Sequence, residues 1–436
     1  MSWWKHSQLT YRKPESKAEP GSCSNSQKNH LAELHLADVS LLRWAKRSTA
    51  TPFYIYSGRR IKEKIASLKN ALQSVTNNHR MFFAMKANRN PQILAEMRNS
   101  GLGIDTCSGM EILLALKSGF RPSQISFTSA AITADDLRIL CANPEIHLNL
   151  DSIAQIKLVA EHSPGRSVGL RINPQAGYGY SSSLEYSTTN QVTKFGIYES
   201  EFSLAARLAI EHGLRITGLH CHSGWGLQNR QMASVAKVMK RINDFAKLLN
   251  EVQEGPQSLG YINIGGGLGS PMSCADTPLN LQDWASTLRE CLLPCFGPGT
   301  ELFSEPGDFL TRDSGLLITR VLGVETKNAV NFIVVDASFA VNLQHASYQL
   351  PLEALPLVQP AEGCILEHSK NQIDRFQNYR VVGAINEAVD VFIQEIRLPE
   401  IRTGEFLAFP AVGAYGATMA SNHCLRGQFE EYFIAD

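Results

Sequence analysis

Residues 81–128 read MFFAMKANRNPQILAEMRNSGLGIDTCSGMEILLALKSGFRPSQISFT. Three short runs of apolar and β-favouring residues, Met81–Met85, Gly103–Thr106 and Ile125–Thr128, are separated by two stretches with helical spacing, Pro91–Ser100 and Ile112–Ser118. Strands alternating with helices at this spacing are βα units, and βα units make a parallel sheet. The alternation continues. Strands are predicted at Ile146–Leu150, Val168–Ile172, Ile216–His222, 261-YINIG-265 and Glu301–Ser304. Helices are predicted at Asp135–Cys141, Ile153–Glu161, Glu201–Glu211, Met232–Val252 and Leu281–Leu292. About eight repeats over roughly 230 residues suit a closed (β/α)8 barrel.

The flanks differ. Residues 1–34 are polar and read as a mostly mobile N-terminal extension. Leu41–Lys46 has a helical pattern, 52-PFYIY-56 reads as a strand, and Ile61–Val75 is amphipathic. After residue 315, LLITRVLGVE, NFIVVD, YRVVGAI and EFLAFPAVGAY are β-rich and joined by turns, which implies a mostly antiparallel C-terminal β domain. The expected architecture is therefore α/β: a segment 35–55 packing with the β domain, a barrel over 56–315, and the β domain over 316–436.

The bulk numbers bound the function. A chain of 436 residues exceeds one ordinary core. With 41 basic and 41 acidic residues the net charge is zero, so nothing points to nucleic acid. No apolar run is long enough to span a bilayer, and MSWWKHSQLTYRK lacks the apolar core of a secretory signal. The nine cysteines form no CxxC, which fits reduced thiols in the cytoplasm. The triplet 220-HCH-222 invites a zinc reading. Adjacent residues rarely converge on one metal and the sequence has no second ligand cluster, so no metal is expected.

Function in such a barrel sits at the C-terminal ends of the strands. Lys86 ends the first run, in 83-FAMKAN-88, where partial burial would lower its pKa and make it a Schiff-base candidate. A lysine snorkelling from a strand end is the plain alternative. Asp105, Arg171, the segment 220-HCHSGWG-226 and Glu305 end others. The run 265-GGGLG-269 could let backbone N–H groups converge on a phosphate, with the dipole of a following helix start added, or it could be a flexible turn. Lysine, cradle, histidine and carboxylate together suit pyridoxal 5′-phosphate (PLP).

Ten segments in order make the chain resemble the fold type III PLP-dependent decarboxylases, the group of diaminopimelate and ornithine/arginine decarboxylases, with alanine racemase a more distant relative. They are 83-FAMKAN-88, 101-GLGIDTCSGMEI-112, 169-GLRINP-174, 194-KFGI-197, 218-GLHCHSG-224, 263-NIGGGLG-269, 304-SEPG-307, 335-VDASF-339, 382-VGAINEAVD-390 and 413-GAYGATMASN-422. GLHCHSG and SEPG lean toward the diaminopimelate branch. The resemblance implies an alanine-racemase-like barrel and a cytoplasmic homodimer. Lys86 would carry the cofactor aldehyde, Glu305 would pair with the ring nitrogen, and His222 would stack on the ring. Gly265, Gly266 and Gly267 would cradle the phosphate, and Asp105 would lie near the Lys86 end. Tyr415 and the loop with Asn386 and Glu387 would come from the other subunit, Tyr415 reaching the phosphate. The implied reaction removes the α-carboxylate of an amino acid as CO2 and reprotonates Cα.

Four positions depart from that pattern. The usual EPGR is EPGD here, so Asp308 replaces an arginine that serves an anion in relatives. Trp225 replaces a phosphate-contacting serine. Gln344 replaces an arginine four residues before Tyr348. Asn386 replaces the loop cysteine that precedes the acid. Losing two arginines argues against a free carboxylate at the far end of the substrate. The expectation is a diamino acid or conjugated amino acid of specialised metabolism, such as siderophore or antibiotic assembly. The alternatives are meso-diaminopimelate decarboxylation for lysine biosynthesis and a non-catalytic regulatory homologue. The C-terminal motifs argue against a racemase.

Overall fold

The computed structural model describes residues 8–13, 31–48, 50–181, 184, 192–253, 259–292, 296–360 and 376–435. The chain divides into two compact units: Met1–Ile61, Pro271–Asp276 and Thr311–Asp436 form one, and Lys62–Ser270 with Thr277–Leu310 form the other.

The second unit holds a closed barrel. Its strands are β1 (His79–Ala84), β2 (Gly103–Thr106), β3 (Ile125–Thr128), β4 (His147–Leu150), β5 (Ser167–Arg171), β6 (Arg215–His220), β7 (Tyr261–Asn263) and β8 (Glu301–Ser304). Every neighbouring pair is parallel, and β8 closes onto β1. Serine or asparagine caps start three of the intervening helices. Asn90 accepts from the Gln92 N–H, Ser108 from Glu111, and Ser152 from Gln155. The barrel interior is filled by large rings, with Tyr261 and Phe303 stacked at 4.6 Å and Phe82 at 4.9 Å from Phe303. Gly169 and Gly218 leave room for the Tyr261 side chain, since a Cβ on Gly169 would sit 2.3 Å from its hydroxyl and one on Gly218 2.3 Å from its ring.

The first unit is built on an eight-stranded mixed sheet. Gly315–Lys327 is its spine, antiparallel to Val330–Val335, Phe406–Pro410 and Phe53–Ser57. Two pairs are parallel: Val330–Val335 with Phe376–Val382, and Phe53–Ser57 with Glu430–Ile434. Phe53, Ile55, Leu316, Ile318 and Ala408 form its buried core with Leu9, Leu34 and Leu36. Part of the expected polar extension is thus ordered sheet: Leu9–Arg12 pairs antiparallel with Leu31–Leu36. In LAELHL every second residue is apolar, and the even-numbered positions are the buried ones. Residues 1–7 and 14–30 lie outside the described residues. No helix among the described residues is long and apolar enough to cross a membrane.

Candidate active site

The C-terminal ends of the barrel strands bring together Lys86, Asp105, His222, the glycine run, Glu305 and Asp308. Lys86 lies one step beyond β1, in the 3-10 turn Met85–Ala87. Its side chain is exposed, not partly desolvated as its place after an apolar run suggests. The turn lifts it out of the strand, while the Ala84 N–H donates to the Pro306 carbonyl (3.1 Å) and ties the end of β1 to the turn after β8. The charge of Lys86 acts on both Asp105 and His222.

Asp105 lies in β2 and is buried, and its Oδ1 has no hydrogen-bond partner among the described residues. Burial raises its pKa well above the ordinary carboxylate range, Glu305 adds to that, and Lys86 opposes it. Glu305 has the opposite balance. Burial pushes its pKa up, but His220, by charge and by hydrogen bond, and Asn263 outweigh it and bring it to about 2. His220 Nε2 lies 3.0 Å from Oε2. Asn263 Nδ2 and Ser126 Oγ donate to Oε1 at 2.7 and 3.2 Å. A carboxylate fixed by side chains of β3, β6 and β7 is a preorganised anion.

His222 is half-buried, and its Nδ1 accepts from the Gly266 N–H (3.3 Å). Burial first, then the charges of Lys86 and Arg171, hold it neutral with a pKa of about 3. The triplet 220-HCH-222 diverges: His220 turns to Glu305, Cys221 Sγ meets Ser223 Oγ at 3.0 Å, and His222 turns to the glycine run.

The glycine run begins two residues after the end of β7. Gly265 and Gly267 have φ of 67° and 89°, which favour glycine. A Cβ on Gly266 would lie 2.2 Å from the Glu305 carbonyl, and one on Gly267 2.3 Å from the Gly224 carbonyl. Backbone is therefore pressed against backbone, and the run is a built turn. The expected helix start is absent: the next helix among the described residues is Leu281–Leu292, so any anion held here relies on backbone N–H groups without that dipole. Asp308 is 3% exposed, and Trp225 Nε1 donates to its Oδ2 (2.9 Å).

The remaining sequence-derived positions lie in the β unit. Gln344 is buried on helix Leu343–Tyr348 and accepts from Arg312 Nη2 (3.0 Å), while Tyr348 is exposed. Asn386 and Glu387 are exposed in a loop, with Glu387 Oε1 3.0 Å from His423 Nε2. Tyr415, with φ of 63°, caps helix Gly416–Met419. Sequence reading missed His220, Asn263 and Ser126. A usable signal existed, because His220 and Asn263 end the neighbouring strands β6 and β7 in register.

These residues fit PLP. The barrel end offers a primary amine, a backbone cradle no larger residue would fit, a neutral imidazole beside it, and a buried carboxylate held anionic. Comparisons with known proteins agree. The family model for "Pyridoxal-dependent decarboxylase, pyridoxal binding domain" matches residues 58–312. The diaminopimelate decarboxylase of Escherichia coli K12 is 31% identical over 386 residues, covering 85% of this chain and 86% of the relative. That of Methanothermobacter thermautotrophicus is 29% identical, covering 88% and 87%. A crystal structure of diaminopimelate decarboxylase from Helicobacter pylori complexed with L-lysine superposes with a TM-score of 0.77 at 25% identity, over 90% of this chain and 94% of that one. With this geometry, the match shows that the chain belongs to the fold type III PLP-dependent amino-acid decarboxylases, and its relatives at about 30% identity include diaminopimelate decarboxylases.

Proposed function

We propose that the protein removes the α-carboxylate of a diaminopimelate-like diamino acid as CO2. The observation that carries the reading is the convergence of Lys86, His222, the glycine run and an anionic Glu305 at one end of a barrel whose relatives carry that name. When bound, PLP supplies an aldehyde that takes up an amine and a protonated ring that withdraws electrons from the α-carbon. Lys86 would hold the aldehyde. Glu305 would keep a proton on the ring nitrogen, since it stays ionised down to a pH of about 2. Neutral His222 would lie against the ring, and Gly265, Gly266 and Gly267 would hold the phosphate. Asp105 would sit by the Lys86 end.

In a homodimer, Tyr415 of each β unit would reach the phosphate in the other subunit. Glu387 would meet the substrate, and Asn386 would position a water that returns a proton to Cα. Arg312 supports the diaminopimelate reading: its guanidinium reaches the Gln344 position, where relatives carry an arginine of their own. The described cysteines are all free, which favours a cytoplasmic reaction.

One observation favours a second reading. Asp308 puts a buried carboxylate where relatives place an arginine, which suits a substrate with a neutral or cationic far end, or an amino acid carried on a larger scaffold in siderophore or antibiotic assembly. Measured CO2 release from meso-diaminopimelate, lysine, ornithine, arginine and conjugated diamino acids separates the two. Highest kcat/KM on diaminopimelate supports the first, and highest on a conjugate replaces it with the second. No release from any, with no visible PLP band, would mark a non-catalytic regulatory homologue.

A further inference from the structure

Two of the positions that set this chain apart from its family touch each other. Trp225 Nε1 donates to Asp308 Oδ2 at 2.9 Å, and Trp225 follows Gly224, whose carbonyl presses on Gly267. A phosphate-contacting serine and an anion-binding arginine are thus replaced together by a bonded indole and carboxylate. The same neighbourhood holds a buried ammonium that the reaction does not otherwise use. Lys64, on helix Gly58–Val75, is 8% exposed. Its Nζ lies 3.2 Å from Ser270 Oγ, and Ser270 immediately follows the glycine run. It also lies 3.9 Å from the centroid of the Phe309 ring, and Phe309 immediately follows Asp308. Ser270 and Phe309 thus fix one positive charge between the end of the cradle and the turn that has lost its arginine.

We propose that Lys64 is the cationic determinant of cofactor-phosphate binding in this chain, moved from the turn after β8 to the helix before β1. The proposal rests on the PLP assignment. A dianionic phosphate beside the Asp308 carboxylate needs a positive charge in the same low-dielectric region, and Lys64 supplies it without occupying the cradle itself. Substrate groups at the far end would then meet Asp308 and Trp225 while the phosphate is balanced from behind.

The test compares PLP with pyridoxal, which lacks the phosphate. Full-length wild type, Lys64→Met and Lys64→Arg are freed of cofactor and titrated with each compound, with binding read from protein fluorescence and visible absorbance. Lys64→Met is expected to weaken PLP binding at least about tenfold and to leave pyridoxal within about twofold, while Lys64→Arg keeps most of the preference. An equal loss for both compounds, or no loss, overturns the proposal and makes Lys64 a structural residue. Should Lys64→Met fail to fold, Asp308→Asn carries the test. Removing that negative charge must tighten PLP relative to pyridoxal, and an unchanged ratio counts against the proposal. Wild type that binds neither compound overturns the cofactor reading, and the Lys64 proposal falls with it.

Discussion

Glu305 and Asp308 stand three residues apart, and both are almost fully buried, yet their surroundings give them different work. Glu305 has His220, Asn263 and Ser126 around it, while Asp308 accepts from the Trp225 indole. Replacing Glu305 by glutamine keeps its shape and removes its charge. Steady-state kinetics on the preferred substrate should show kcat/KM lowered about 100-fold or more, because a preorganised charge is lost. A pH effect on stability belongs to His345. Burial, then the charge of Arg312, lowers its pKa from 6.5 to about 4. Below 6.5 the unfolded chain takes up a proton that the folded chain refuses, so this stabilisation is complete above 6.5 and is lost as pH falls toward 4. Wild-type Tm should therefore fall by about 2–4 °C more than that of His345→Gln between about pH 6.5 and pH 4. Equal slopes would count against it. At this scale the sequence was only partly legible. Glu305 could be singled out by its place after an apolar run. Its bonding partners come from strands far away in the chain, and only the closed barrel brings them within reach.

The elements follow the same logic. The eight barrel strands could be read because strand and helix impose different apolar periods, and each period lasts for several residues. The pair Tyr178–Gly179 with Gly224–Trp225 could not, since two residues are too few to show any period. Nor could the glycine run be told from a flexible turn until its packing was seen. That packing predicts that Gly266→Ala will be poorly tolerated. The added methyl would lie 2.2 Å from the Glu305 carbonyl, so the run or the β8 turn must shift. A loss of about 1–3 kcal/mol in unfolding free energy is expected, with weakened PLP binding beside it. Wild-type values for both would mean that the backbone here is not close-packed.

On the scale of the whole molecule, the division into two compact units makes a simple demand. The matched pyridoxal-binding region, residues 58–312, contains every described barrel strand. PLP should therefore raise the melting of the barrel unit first, by an amount that grows with ligand concentration. Calorimetry with and without PLP would show a shift confined to one transition, or the whole endotherm moving if the units unfold together. The homodimer proposal is checked by mixing two inactive variants, Lys86→Ala and Tyr415→Phe. If active sites are shared between subunits, some mixed dimers regain one intact site and activity returns. Mixtures that stay inactive after subunit exchange would argue for sites built within one chain.

The proposed reaction depends on PLP joined to one lysine at the end of β1. The direct measurement is mass spectrometry of the protein loaded with PLP, reduced with borohydride and digested. The reduced cofactor mass is expected on the peptide carrying Lys86, and it should disappear in Lys86→Ala. A cofactor mass fixed on another lysine, Lys64 included, or no adduct on protein mixed with excess PLP, would contradict this assignment.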